Sequence, residues 1–189
     1  GFVAKLNSKG DTLWVKYLPV FELNSIIETN DGNYVVVGGT GNLYVAKLNQ
    51  NGIIIWTRSI NETGFSIVPT HINKLTDGGF IISGILDGAI DYGYLLKIDT
   101  SGIRVWASYI GSSTDDQGLN YVKQTSDNNY ITTGYKRIGG NISQIYLVKT
   151  DSQGNVIWEK NYGTVSYHES GTAVFQLHDL GYLIISGIA

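Results

Sequence analysis

All four tryptophans of this chain fall in one pattern, [Asn/Asp]-x-x-Gly-x-x-x-Trp, and an internal repeat of this kind constrains a fold more than any composition does. The copies are Asn7-Gly10-Trp14, Asn49-Gly52-Trp56, Asp99-Gly102-Trp106 and Asp151-Gly154-Trp158, with Trp-to-Trp spacings of 42, 50 and 52. Two residues before each Asn or Asp stands a lysine (Lys5, Lys47, Lys97, Lys149), and three before that an aromatic (Phe2, Tyr44, Tyr94, Tyr146).

A second pattern follows each tryptophan: Asp, one or two small residues, an aromatic, a short apolar run and Gly. Its copies are Asp31-Gly32-Asn33-Tyr34 to Gly38, Asp77-Gly78-Gly79-Phe80 to Gly84, Asp127-Asn128-Asn129-Tyr130 to Gly134, and Asp179-Leu180-Gly181-Tyr182 to Gly187, which reads as carrying one extra residue, a bulge or the mark of an eroded terminal repeat. Each unit offers four short segments rich in β-branched and aromatic residues, without helical periodicity; in the third these are Tyr94 to Ile98, Ile103 to Tyr109, Leu119 to Thr125 and Tyr130 to Thr133. Asn/Asp-x-x-Gly between two such segments predicts a hairpin whose side chain caps a type I turn while Gly takes the left-handed position.

Tandem four-stranded units of this length predict an all-β fold, a β-propeller of four-stranded antiparallel blades, better than a sandwich or closed barrel. Residues 1–189 form one domain or part of one, with repeats at about 1–42, 43–92, 93–144 and 145–189. The strand Phe2-Val3-Ala4-Lys5-Leu6 and its copies are apolar on both faces, as expected when each blade packs between two neighbours, and the recurring Trp fills the gap between them. Two closures fit: a four-bladed ring completed where the terminal hairpins meet, or an arc of a ring of six to eight blades completed by other copies or further sequence.

The run Tyr146-Leu147-Val148-Lys149-Thr150-Asp151, with Gly154 and Trp158 through Tyr162-Gly163, together with the Asp-Gly-Gly-Tyr/Phe type of hairpin, resembles the repeat of secreted bacterial and archaeal β-propeller proteins. That family is broadly similar to the pyrroloquinoline-quinone-type propeller repeat. The resemblance covers essentially the whole chain and implies an extracytoplasmic address and a binding or structural role. The quinone does not carry over, because the chain has no vicinal Cys pair and no collected set of quinone and calcium ligands. No cofactor and no metal site are expected.

Composition narrows the function. With 13 Lys+Arg against 16 Asp+Glu the net charge is −3, and 15% charged residues supply no basic face for nucleic acid. The 42% apolar content suffices for a globular core. Zero Cys removes disulfides and thiolate chemistry. No apolar run approaches the roughly 20 residues of a transmembrane helix. A start at Gly1 without a charged and then apolar leader reads as a mature chain or an excised segment. The sequons Asn61-Glu62-Thr63 and Asn141-Ile142-Ser143 fit N-glycosylated loops of a secreted protein at Asn61 and Asn141.

In an antiparallel meander the short repeating turns share one end, and the longer dissimilar connections share the other, where binding is expected. The candidates there are Asp87, Asp91, Asp115, Asp116, Tyr135, Arg137, His168 and Glu169, with Tyr92, Tyr109, Tyr162 and Tyr167 as further loop aromatics. Converging carboxylates bind cations or act as an acid/base pair, whereas solvated loop charges and turn caps do neither. His71, His168 and His178 are too scattered for a metal, no Gly-x-Ser-x-Gly elbow occurs, and Gly38-Gly39-Thr40-Gly41 lacks the Lys-Ser/Thr of a phosphate loop. The four lysines read as strand residues paired to a carboxylate or carbonyl, their stems on Trp.

The leading expectation is a non-catalytic extracellular or cell-surface propeller acting as an interaction, adhesion or assembly module, with a protein, a glycan or other copies of itself as partner. The alternatives are a carbohydrate-binding propeller attached to a secreted enzyme, and a hydrolase using Asp115 or Asp116 with Glu169.

Overall fold

The computed structural model describes residues 1–139, 142–164 and 166–188. Sixteen strands pair as sequential antiparallel hairpins: β1 (Phe2–Leu6), β2 (Thr12–Tyr17), β3 (Leu23–Glu28), β4 (Tyr34–Gly38), β5 (Leu43–Leu48), β6 (Ile54–Ile60), β7 (Ser66–Lys74), β8 (Phe80–Asp87), β9 (Tyr92–Ile98), β10 (Arg104–Ile110), β11 (Gln117–Gln124), β12 (Tyr130–Ile138), β13 (Ile142–Thr150), β14 (Val156–Tyr162), β15 (Glu169–Gln176) and β16 (Tyr182–Ile188). They form three four-stranded sheets, β3–β6, β7–β10 and β11–β14, flanked by the two-stranded sheets β1–β2 and β15–β16. The sheets are thus framed two strands off the sequence repeat. The chain is an all-β array of repeated four-stranded sheets packed in series, and among the described residues no strand pairing closes the series into a ring.

The turns form for the reasons their residues dictate. Asn7 Oδ1 accepts the amides of Lys9 and Asp11, and Asn49, Asp99 and Asp151 accept the matching pairs two and four residues on, at 2.8–2.9 Å. The glycine that follows each cap has φ between +77° and +88°, where a Cβ is disfavoured. In the other hairpin the left-handed position falls to Gly32, Gly78, Asn128 and Leu180. The fourth copy contains no insertion, contrary to the sequence reading. Ser186 pairs with Gly171 as Gly134 pairs with Leu119, so Ser simply replaces Gly, and the bulge lies on the first strand of every such hairpin.

Successive sheets meet through their first strands, β3 on β7, β7 on β11 and β11 on β15. Four apolar clusters fill the seams. Val35, Val37, Leu43 and Val45 pack with Ile67, Ile72 and Phe80; Ile81 and Leu95 pack with Val122, Tyr130 and Tyr146; Val36, Ala46 and Leu48 receive β1–β2; Ile131 and Leu147 receive Val174. Strands buried on both faces, such as β4 and β8, are therefore apolar at successive positions, whereas the outermost β6 alternates.

The outer part of each seam is one tryptophan seated on the next sheet. Trp14 lies over Gly52, Trp56 over Gly102 and Trp106 over Gly154, so close that a Cβ on these glycines would come within 2.7–2.8 Å of the indole. The same indoles pack on the aromatic of the next hairpin, Trp14 on Tyr34 and Trp106 on Tyr130, with centroids 6.1 and 5.8 Å apart. Gly10, the first of the series, has nothing within 4 Å of its Cβ position. Both Gly10 and Gly102 are left-handed, so alanine costs each about 1 kcal/mol in backbone strain. Gly102→Ala must also displace Trp56, which adds about 1–3 kcal/mol. Urea unfolding is expected to show Gly102→Ala clearly less stable than Gly10→Ala; equal losses would remove the packing role.

Candidate functional site

The long-connection face is built less from loops than its sequence suggests. Strand pairing runs on past the repeat glycines, with Leu86 opposite Tyr92, Tyr135 opposite Ile145 and Arg137 opposite Ser143. The hairpin arms keep pairing beyond Gly84 and Gly134. Tyr135 and Arg137 accordingly project from β12 and are positioned by the sheet.

Four candidates converge where the β8–β9 tip meets β11 and β12. Asp116 Oδ2 accepts the Arg137 guanidinium at 2.8 Å, and its Oδ1 accepts the Asp91 amide at 3.2 Å. The backbone closes the junction: Gln117 N–H donates to Asp91 O at 3.0 Å, and Arg137 N–H to Asp116 O at 2.8 Å. Burial raises the pKa of Asp91, reinforced by the charges of Asp116 and Asp87. Burial likewise pushes the Tyr135 phenol up to about 12, with the Asp91 charge adding to it.

Tyr135 and Arg137 continue into a cavity of about 410 Å³ between β12–β13 and β15–β16, whose wall also includes Ser143, His168 and Glu169. His168 Nδ1 accepts the Ser143 amide at 3.3 Å. Glu169, 8% exposed, turns its Oε2 to the Thr164 amide at 2.7 Å, as Gln117 turns to the Ser112 amide one sheet earlier. Gly163 and Gly111 leave the room these caps occupy. The structure therefore brings Asp91, Asp116, Tyr135, Arg137, His168 and Glu169 into one continuous region. Asp115 stands apart, accepting from Ser112 Oγ at 3.2 Å with Lys136 at 3.9 Å, and Asp87 is exposed at the end of β8. Among the described residues no group of three or more His, Cys, Asp or Glu is placed to hold a metal, and no helix is long and apolar enough to cross a membrane.

The repeat lysines each find a partner. Lys47 pairs with Asp31 at 2.9 Å, Lys97 with Asp77 at 2.7 Å and Lys149 with Asp127 at 3.0 Å, each bridging the third strand of a sheet to its own first turn. Lys5, whose sheet lacks that turn, reaches Gln50 O at 3.4 Å. The Thr29 hydroxyl and Lys47 hold Asp31 below the usual carboxylate value of 3.8, and Lys97 does the same for Asp77. At Asp127 partial burial acts upward but is outweighed by Thr125 and Lys149. A depressed carboxylate pKa contributes stability that is complete above 3.8 and lost as pH falls toward the folded value. The urea midpoint is therefore expected to drop below pH 3.8, and a triple Asp31→Asn/Asp77→Asn/Asp127→Asn variant to show a shallower drop. An unchanged slope would contradict the assignment.

One hub escaped the sequence reading. The Glu62 side chain, 9% exposed, accepts Arg104 and the hydroxyls of Tyr94 and Tyr109, each at 2.7 Å. Its partners lie more than 30 residues away, and its only sequence signal was membership of the sequon at Asn61, which is exposed. Asn141 lies outside the described residues. Glu62→Leu leaves three donors without their acceptor and is expected to cost about 3 kcal/mol in chemical unfolding; a loss under about 0.5 kcal/mol would make the hub incidental.

No family model matches the chain, and neither does any curated protein. Among solved structures it is similar to a protein of unknown function from Bacteroides caccae, with a TM-score of 0.50 and 14% identity over 84% of this chain and 74% of that one. The likeness concerns the fold alone, an all-β repeat of packed antiparallel sheets.

Proposed function

We propose that the chain forms part of a β-propeller and serves as a non-catalytic interaction and assembly module, extracellular or on a cell surface. The observation that carries this reading is the state of its two half-blades. Positions that are buried in the interior sheets are open at both ends: Leu6 is 53% exposed where Leu48 and Ile98 are fully buried, and Leu183 is 54% exposed where Val35 and Ile81 are fully buried. Exposed apolar strand faces of this size mark association surfaces. The charged groups support a binding role over hydrolysis, since Asp116 is tied to Arg137 and Glu169 to the Thr164 amide, each holding backbone in place. The extracellular address rests on the low charge, the repeat resemblance and the exposed sequon at Asn61.

The cavity under Tyr135, Arg137 and His168 supports the second reading, a glycan site on the same scaffold, because an aromatic beside a guanidinium and an imidazole suits a polar ring. Light scattering on the purified 189-residue chain tests the leading reading. The expected mass is a multiple of 20.7 kDa, or a complex with a supplied partner; a monodisperse monomer that ignores partners and binds glycan at Arg137 would favour the second.

A further inference from the structure

Deepening the assembly reading and resting on it, we propose that the association surface is a composite blade: β15–β16 of one copy is completed by β1–β2 of a second copy, head to tail. Three unfilled positions on one end match three on the other.

The first is the seam. Trp14, Trp56 and Trp106 each cover a buried glycine of the next outer hairpin, but Trp158 has none; with Leu147, Lys160, Tyr162, Tyr182 and Ile184 it lines an open groove of about 690 Å³. Gly10 is the corresponding glycine, left-handed, exposed and with nothing above it. Trp14 also donates its indole N–H to Gln50 O at 2.9 Å, and the carbonyl equivalent to Gln50 in the β1–β2 turn is that of Ser8. The second is the strand edge. In the three complete sheets the second and third strands pair Val36 with Ala46, Ile82 with Leu96 and Thr132 with Val148. The same register sets Ile184 opposite Ala4, and among the described residues β16 and β1 each offer a free edge. The third is charge. Every complete sheet joins the Asp of its first turn to the Lys of its third strand, leaving Asp179 and Lys5 as the unmatched members.

A second copy is favoured over the chain's own other end because, among the described residues, β16 and β1 are not paired with each other. The terminal hairpins belong to the two ends of a packed series in which β3 packs on β7, β7 on β11 and β11 on β15, with three Trp–Gly seams closed. Two copies of these 189 residues joined at both ends give eight blades, within the range propellers use. The contact is heterologous, and it closes by twofold symmetry.

The chain has no cysteine, so Ala4→Cys/Ile184→Cys introduces its only thiols. Oxidised under native conditions, this variant is expected to give disulfide-linked dimers or larger species, whereas Ala4→Cys/Ile185→Cys, one residue out of register, is not. In parallel, Gly10→Asn keeps a residue that tolerates the left-handed turn but fills the space due to Trp158, and should abolish association by light scattering while leaving circular dichroism unchanged. Lys5→Glu should weaken association on the order of tenfold, and adding Asp179→Lys should restore it. A disulfide within one chain would overturn the proposal in favour of a four-bladed ring. Association that survives Gly10→Asn without the cross-link would overturn it while leaving the assembly reading intact. A monomer throughout would overturn both.

Discussion

An indole seated on bare backbone is the contact on which the architecture depends. Trp14, Trp56 and Trp106 approach the next sheet so closely that only glycine fits beneath them, and that glycine is itself required by the turn it occupies. One residue thereby satisfies two constraints, the left-handed turn of its own hairpin and the contact distance to its neighbour. The lysine on the adjoining strand adds a third, tying the outer hairpin of each sheet to the inner one through Asp31, Asp77 or Asp127. Spacing between sheets is therefore fixed by a few positions, and the connections on the opposite face vary without disturbing it.

This explains why the scaffold could be read from the sequence. Trp, Gly, Lys and the capping Asn or Asp are local, periodic and chemically distinctive, so strand order and turn type followed directly from their spacing. The site was less legible. Tyr135 and Arg137 read as loop residues because nothing short-range marks where hairpin pairing ends, yet both lie in paired strand. Glu62 was passed over because Tyr94, Arg104 and Tyr109 become its neighbours only when sheets stack. Gly187 mimics the repeat glycine in sequence, whereas the pairing register puts Ser186 in that glycine's place. Asp116 and Glu169 stand on the long-connection face, where their carboxylates hold Arg137 and the Thr164 amide in place.

The two ends of the series follow from the same rule. A repeat that stabilises itself by covering its neighbour leaves one end with a cover and nothing beneath it, and the other with a seat and nothing above it. Trp158 and Gly10 are those two remainders, and β16 and β1 are the corresponding unpaired edges. Exposed apolar residues on both half-sheets make the isolated series costly in water, so association and stability are expected to be linked.

Hydrogen exchange on the associated chain is the most direct measurement of that link. If the ends complete one another, the amides of β1 and β16 exchange as slowly as those of their interior counterparts β5 and β4, and Gly10→Asn releases both together. Free exchange at β1 and β16 in an otherwise protected protein would contradict the account, because it would show two open edges on a fold that does not need them covered.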